Sequence, residues 1–149
     1  MDIRVAQKAD LKQLLELYTQ LHNNARPALD ADLENLWHDI LSDKNHYIII
    51  GLIDGAMVSS CVLTVVPNLT QNQRPYGLVE NVITHESHRK KGYASLILNF
   101  ARDIARSKNC YKIMLLTGSR QECTFAFYEK AGYNQKDKTA FIQWLDCIE

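Results

Sequence analysis

The chain has 149 residues, with 17 Lys plus Arg against 17 Asp plus Glu, so its formal net charge is zero. That length suits one domain over 1–149 with a real core, and the charge balance lacks the basic excess of a dedicated nucleic-acid binder. No apolar run approaches the roughly 20 residues needed to cross a bilayer, Met1-Asp2-Ile3-Arg4 is no signal peptide, and Cys61, Cys110, Cys123 and Cys147 form no C-x-x-C pair, which together read as a cytoplasmic protein.

Ile3-Arg4-Val5 reads as a short first strand. Asp10 is placed to cap a helix whose apolar residues are Leu11, Leu14, Leu15, Tyr18 and Leu21, one face of a 3.6-residue period. Pro27 breaks the chain, and Asp30 or Asp32 caps a second helix with Leu33, Leu36, Trp37, Ile40 and Leu41 on one side. Tyr47 to Ile53 is β-branched and reads as a strand. Asp54-Gly55 is a tight hairpin turn, and Ala56 to Val66 is the return strand, ended by Pro67. Asn68 to Pro75 is a loop, and Tyr76 to Thr84 is the next strand.

From Gly92 the pattern is helical, with Ala94, Ile97, Leu98, Ala101 and Ala105 on one face. Lys112 to Thr117 is a short apolar strand expected to be buried on both faces. Ser119-Arg120-Gln121-Glu122 has the capping-box form, and the helix it opens ends at Gly132. Tyr133 to Lys136 and Thr139 to Leu145 are expected to form a final hairpin. Strand, helix, strand from Tyr76 to Thr117 is a βαβ unit, so those strands run parallel. The fold class is therefore α/β, a mixed and mostly antiparallel sheet with a parallel βαβ unit at its centre and helices on both faces.

Chemistry concentrates at Val82-Ile83-Thr84-His85-Glu86-Ser87-His88-Arg89-Lys90-Lys91-Gly92-Tyr93-Ala94. A β-branched run ends in a polar turn, a basic triplet and a glycine follow, and a helix begins. That order presents backbone N–H groups at a helix N-terminus backed by positive side chains, which suits a pyrophosphate. The spacing Arg89-x-x-Gly92-x-Ala94, after a strand and opening a helix, resembles the signature of the GNAT superfamily of acyl-CoA-dependent N-acyltransferases. Phe127-Tyr128-Glu129-Lys130-Ala131-Gly132-Tyr133 is similar to the family's second motif, and the start at Ile3-Arg4-Val5-Ala6 and Ala9-Asp10-Leu11 also matches. Two departures stand out: Gln121 where many members carry Asn, and Ala94 where glycine is commoner.

The resemblance implies acetyl-CoA as cosubstrate, an amine as acceptor, and no metal. Backbone amides from Lys90 to Ser95, with Arg89 and Lys91 beside them, would hold the pyrophosphate; Gly92 lets the backbone come close, and Tyr93 and Ala94 open the helix. Val82, Ile83 and Thr84 would meet the pantetheine arm through their backbone, with an N–H near Val82 facing the oxyanion. Gln121 would take the Asn contact to the same arm. A lysine-like amine is neutral only about once in 2,500 molecules at pH 7, so a base helps, and Glu80 fills that role, with Glu34, His38 and Asp39 as substitutes. Tyr128 would protonate the leaving thiolate.

His85 and His88 invite a metal reading, but no third ligand beyond Glu86 stands near. Cys123 has no His partner and reads as a buried structural thiol. Against the N-acetyltransferase stands a non-catalytic acyl-CoA-binding or sensing module on the same fold. Gly77-Leu78-Val79-Glu80-Asn81-Val82 is similar to a strand of glucosamine-phosphate N-acetyltransferases, which makes an amino-sugar phosphate an alternative acceptor, although the 68–75 loop offers only Arg74 to a phosphate. Family members often dimerise, and the C-terminal strands, Thr139 to Ile148, are the candidate interface of a homodimer.

Overall fold

The computed structural model describes residues 1–21 and 25–145, so Cys147 and Ile148 lie outside the described residues. The chain divides into two compact units, Met1–Leu115 and Leu116–Glu149.

The first unit is built on one five-stranded sheet in the order β1-β2-β3-β4-β5. The strands are β1 (Asp2–Val5), β2 (His46–Ile53), β3 (Ala56–Val66), β4 (Tyr76–Thr84) and β5 (Ile113–Leu115). The first four pair antiparallel, while β4 and β5 are parallel. The helices are α1 (Leu11–Tyr18), α2 (Ala31–Ser42) and α4 (Tyr93–Ser107), which makes the crossover from β4 to β5; α3 (Thr70–Gln73), inside the expected 68–75 loop, is a single left-handed turn with positive φ at Gln71, Asn72 and Gln73.

Both faces of the sheet are covered. Ile48, Ile50, Val62 and Ile83 point to one side and pack with Leu14 and Leu17 of α1 and Trp37 of α2. Gly51 points to the other side, where a methyl added to it would lie 3.1 Å from Ile97 Cδ1 of α4. The buried face of α4 is Ile97, Leu98, Ala101 and Ala105, the stripe its periodicity predicts. The β2–β3 hairpin turns at Asp54-Gly55, with φ of 50° and 80°, as a two-residue turn requires. Asp30 is the N-cap of α2, accepting from the Leu33 N–H at 2.9 Å.

Four expectations are corrected. Asp10 precedes α1 but its side chain makes no cap bond there. Its carboxylate turns back to accept from the Gln7 N–H at 2.6 Å and from both Arg4 guanidinium nitrogens at 2.6 and 2.9 Å. The carboxylate thus caps the Lys8–Asp10 turn that precedes α1, rather than α1 itself, while holding the Arg4 fork. β5 is not buried on both faces: it is three residues long, and Met114 is 36% exposed.

The other two lie in the second unit. Ser119 forms no capping box; Gln121 is the N-cap residue of α5 (Glu122–Lys130). The Ser119 hydroxyl is spent on the Gln121 N–H and on Thr124 Oγ1. The final hairpin is absent from the described residues, since 133–145 contain no strand. Asn134 Oδ1 instead takes the Lys136 N–H at 2.8 Å, so the expected first strand bends into an Asx turn. A lone two-stranded hairpin has little stability of its own.

The Arg4–Asp10 pair is the buried polar tie of β1 to α1, with Asp10 only 6% exposed. The Arg4 guanidinium, through its hydrogen bonds, holds the Asp10 pKa below its ordinary 3.8. A depressed carboxylate stabilises the fold above its unfolded pKa and stops doing so as pH falls through its folded value. Asp10→Asn is therefore expected to lower the unfolding free energy by about 2 kcal/mol at pH 7, the scale of charge-assisted hydrogen bonds. Urea unfolding at a series of pH values checks this: the gap to wild type should hold above pH 3.8 and close below it.

Candidate active site

The site begins where β4 leaves β5. The β3–β4 ladder runs from Val66↔Tyr76 to Ser59↔Thr84. The β4–β5 ladder ends after Val79↔Leu115. From Glu80 to Thr84 the second edge of β4 has no strand partner among the described residues. The cause is a bulge. Val62 pairs with Glu80 and Ser60 with Ile83, so Cys61 alone faces both Asn81 and Val82. Asn81 adopts φ 51°, and such an insertion bends and twists its strand.

Beyond Thr84 the chain forms a 3-10 turn, Glu86–His88, and reaches α4 through Arg89 to Gly92. Lys90 (φ 61°) and Gly92 (φ 82°) are both left-handed. Gly92 is the N-cap residue of α4, and no side chain caps that helix. The first intrahelical bond is Leu96 N–H to Gly92 C=O at 3.2 Å, so the N–H groups of Gly92, Tyr93, Ala94 and Ser95 point out of the helix start. A Cβ at Gly92 would meet nothing within 4 Å, so the space beside that residue is open. This is a cradle that fits an anion.

The cradle is held from several sides. Arg89 Nε donates to the Thr84 carbonyl at 3.1 Å, and Lys91 Nζ to the Ser87 carbonyl at 3.2 Å. Gln20, just past α1, accepts the Glu86 N–H at 2.9 Å. Ser87 Oγ sits between His85 Nδ1 (2.8 Å) and His88 Nδ1 (2.9 Å). The Ser87 N–H also points at His85 Nδ1, so that nitrogen accepts. The Ser87 hydroxyl then donates to it and accepts from His88 Nδ1–H. The two imidazoles are thus joined through a serine, and no group of three or more metal-ligating side chains exists among the described residues.

The first unit therefore brings together Glu80, Val82, Ile83, Thr84 and Arg89 to Ser95. Glu80 is exposed on β4 and Val82 half-buried. The Ile83 side chain belongs to the core, and Thr84 Oγ1 is bonded to Ser59 Oγ at 2.9 Å, so the backbone is what these residues offer. Glu34, His38 and Asp39 are exposed on α2, with His38 Nδ1 3.6 Å from Asp39. Arg74, the one cation of the 68–75 loop, is engaged elsewhere: it donates to the carbonyls of Asn109 and Cys110, both at 3.2 Å.

Gln121 and Tyr128 belong to the second unit, at the N-cap and near the end of α5. The helix stops in a Schellman motif: the Tyr133 N–H donates to the Tyr128 carbonyl at 3.0 Å and the Gly132 N–H to Glu129 at 2.9 Å. The Tyr128 ring lies 4.9 Å from Phe127 and 6.0 Å, edge to face, from Tyr133. Cys123 is exposed, against the expectation of burial, on a helix that has no buried residue. Cys61 is the buried thiol, and burial pushes its pKa up to about 12, far from a reactive thiolate.

Sequence reasoning passed over Tyr18, Ser60 and Asn81. Tyr18 reads as one more apolar residue of a helical stripe, and Ser60 hides in the run Met57 to Leu63. Asn81 did carry a sign, since Asn is depleted in strands and tolerates the left-handed region.

Comparison with known proteins follows this geometry. The profile of the acetyltransferase (GNAT) family matches residues 11–133, spanning parts of both units. A glucosamine 6-phosphate N-acetyltransferase of Trypanosoma brucei brucei is 29% identical over 143 residues, 93% of this chain and 92% of that protein. The solved structure of a protein from Agrobacterium tumefaciens str. C58 superposes with a TM-score of 0.89 at 34% identity, covering 97% of this chain and 100% of the other. A glucosamine-6-phosphate N-acetyltransferase from Arabidopsis thaliana shares the fold, with a TM-score of 0.84 at 21% identity over 97% of this chain and 98% of that one.

Proposed function

Since the chain belongs to the acetyltransferase (GNAT) family, we propose that it moves the acetyl group of acetyl-CoA directly to a primary amine of a small molecule or peptide, in a ternary complex. The observation that carries this reading is the open N-terminus of α4 next to the unpaired edge of β4. We read 1–149 as one domain, a reading supported by a family profile that matches 11–133. Its setting is the reducing cytoplasm, consistent with Cys61, Cys110 and Cys123 as free thiols.

Acetyl-CoA supplies an activated thioester, and the chain's own residues do the rest. The N–H groups of Gly92 to Ser95 bind the pyrophosphate, with Arg89, Lys90 and Lys91 adding exposed positive charge that salt screens. The backbone of Val82 to Thr84, lacking a strand partner on that side, hydrogen-bonds the extended arm, and Gln121 adds an amide contact to it. A backbone N–H at Val82 stabilises the oxyanion as the amine attacks, because a preorganised donor pays no reorganisation at that moment. Glu80 takes a proton from the acceptor's ammonium, directly or through water, so that the neutral amine attacks the thioester. A neutral amine at pH 7 otherwise costs roughly 4–5 kcal/mol for a pKa near 10.4. Tyr128 gives its phenolic proton to the departing thiolate, a transfer only slightly uphill for pKa values of about 10 and 8.5.

The acceptor reading stays at the class of amines. An amino-sugar phosphate is the narrower alternative, favoured by the relative from Trypanosoma brucei brucei. Arg74 does not favour it, since that guanidinium already serves two backbone carbonyls. The protein is further read as a homodimer joined through the segment from Thr139 onward. There Phe141 (94%), Trp144 (73%) and Leu145 (89%) are exposed, more apolar surface than a lone tail keeps in water. Sedimentation should give twice the mass of one chain, and truncation after Lys138 should give monomer; a wild-type monomer ends the dimer reading.

Calorimetric titration tests the cosubstrate. Acetyl-CoA and free CoA should bind in the micromolar range and ATP should not. Gly92→Ala, which puts a Cβ at φ 82°, should weaken acetyl-CoA by about tenfold or more, the loss of one or two charge-assisted hydrogen bonds. No binding of either CoA species would end the reading.

Turnover is then read as thiol release with an amine panel that includes glucosamine 6-phosphate and an aminoglycoside. Tyr128→Phe and Glu80→Gln should each lower kcat by about a hundredfold, the scale of general acid or base catalysis, while acetyl-CoA affinity holds. A wild type that binds acetyl-CoA and turns over none of the amines supports the sensing module instead.

A further inference from the structure

Two hydroxyls on the α1 face of the sheet are buried and have no hydrogen-bond partner: Tyr18 Oη and Ser60 Oγ. Tyr18 ends α1 and packs on the cluster that contains Val62 and Ile83. Ser60 is fully buried on β3, opposite Ile50 and Ile83, one step from the bulge that Cys61 faces. Its neighbour Ser59, equally buried, is satisfied by the Ile83 carbonyl and Thr84 Oγ1 at 2.9 Å each. The deficit is thus local to one side of β3. A buried hydroxyl left unbonded costs about 1–3 kcal/mol, and two such groups side by side call for a shared partner.

Asn81, the left-handed residue of the bulge, is the third polar group there. Burial raises the Tyr18 pKa to about 12, while Ser60 and Asn81 lie near enough to draw it down somewhat. No direct bond from the phenol to either meets hydrogen-bond geometry. Two buried hydroxyls with an exposed amide at their margin can share one ordered water.

The geometry points to a water site formed by Tyr18 Oη, Ser60 Oγ and the Asn81 side chain, which braces the β4 bulge from α1. The bulge residue lies between Glu80 and Val82. In the proposed reaction, on which this role rests, those positions carry the base and the oxyanion donor. Tyr18, Ser60 and Asn81 are positioning residues: through one water they set the angle at which β4 turns away from β5. A donor that must meet a developing charge loses much of its effect when its backbone relaxes.

A crystal structure of the wild type, at a resolution that shows ordered water, tests the site without any assay. One water should lie within hydrogen-bond distance of Tyr18 Oη and Ser60 Oγ and should be gone in Tyr18→Phe. A direct bond between Tyr18 and Ser60 or Asn81, with no water, overturns the site. Kinetics test the role. Tyr18→Phe and Ser60→Ala should each lower kcat by about tenfold, the worth of one lost bridging bond. KM for acetyl-CoA should move less than twofold, and the double variant should lose no more than the worse single, because both act on one water. If kcat holds in both singles well below their melting temperatures, the positioning role is wrong even where the water is present. Failure of wild type to bind acetyl-CoA would remove the proposed reaction but leave the crystallographic result standing, so the two failures are told apart.

Discussion

β4 cannot follow both of its neighbours. It keeps its antiparallel ladder with β3 to Thr84 but matches β5 only as far as Val79. The extra residue at Asn81 and Val82 forces the choice, since a bulge turns its strand away from a flat sheet. An unpaired strand edge is costly to bury, because each N–H and C=O there needs a partner. In the proposed reading the extended, amide-bearing arm of the cosubstrate is that partner, docking as an added strand would. The bulge that loses β5 is then the device that gains a ligand.

The second constraint lies at the start of α4. The two long helices of the first unit begin differently. α2 is closed by Asp30, whose carboxylate takes the Leu33 N–H. α4 has a left-handed glycine in that place and no side-chain cap. Leaving the donors open forgoes roughly 1 kcal/mol of capping. The left-handed backbone at Lys90 costs a similar amount, since Lys has a Cβ. The burial of Ile97, Leu98, Ala101 and Ala105 offsets both, because each large apolar side chain removed from water contributes about 1.5–3 kcal/mol. The core face of the helix pays for the openness of its end.

What could be read in the sequence follows from how local each interaction is. The stripe of α4 and the Asp54-Gly55 turn depend on neighbours within a few residues, and both were legible. So was the glycine that opens α4, because strand, glycine and helix are contiguous. Competition between partners was not. Asp10 reads as the cap of α1 until Arg4 is folded beside it. Ser119 reads as a capping-box residue until its hydroxyl meets Thr124. The expected hairpin at 133–145 needed a ladder partner that no local pattern supplies, and β5 proved shorter and more exposed than its apolar composition suggests. The pair Tyr18 and Ser60 joins residues 42 positions apart in sequence and carries no periodic trace.

The second motif shows how one stretch of sequence can have two physical causes. Phe127 to Tyr133 ends α5 in a Schellman cap, and the cap alone accounts for Gly132, for the carbonyl of Tyr128 and for the ring contact between Tyr128 and Tyr133. That cap is made by backbone groups and by one residue that adopts a positive φ, so the glycine and the two carbonyls it serves carry no information about chemistry. The acid role proposed for Tyr128 rests on the likeness of the motif to the family's, not on the cap.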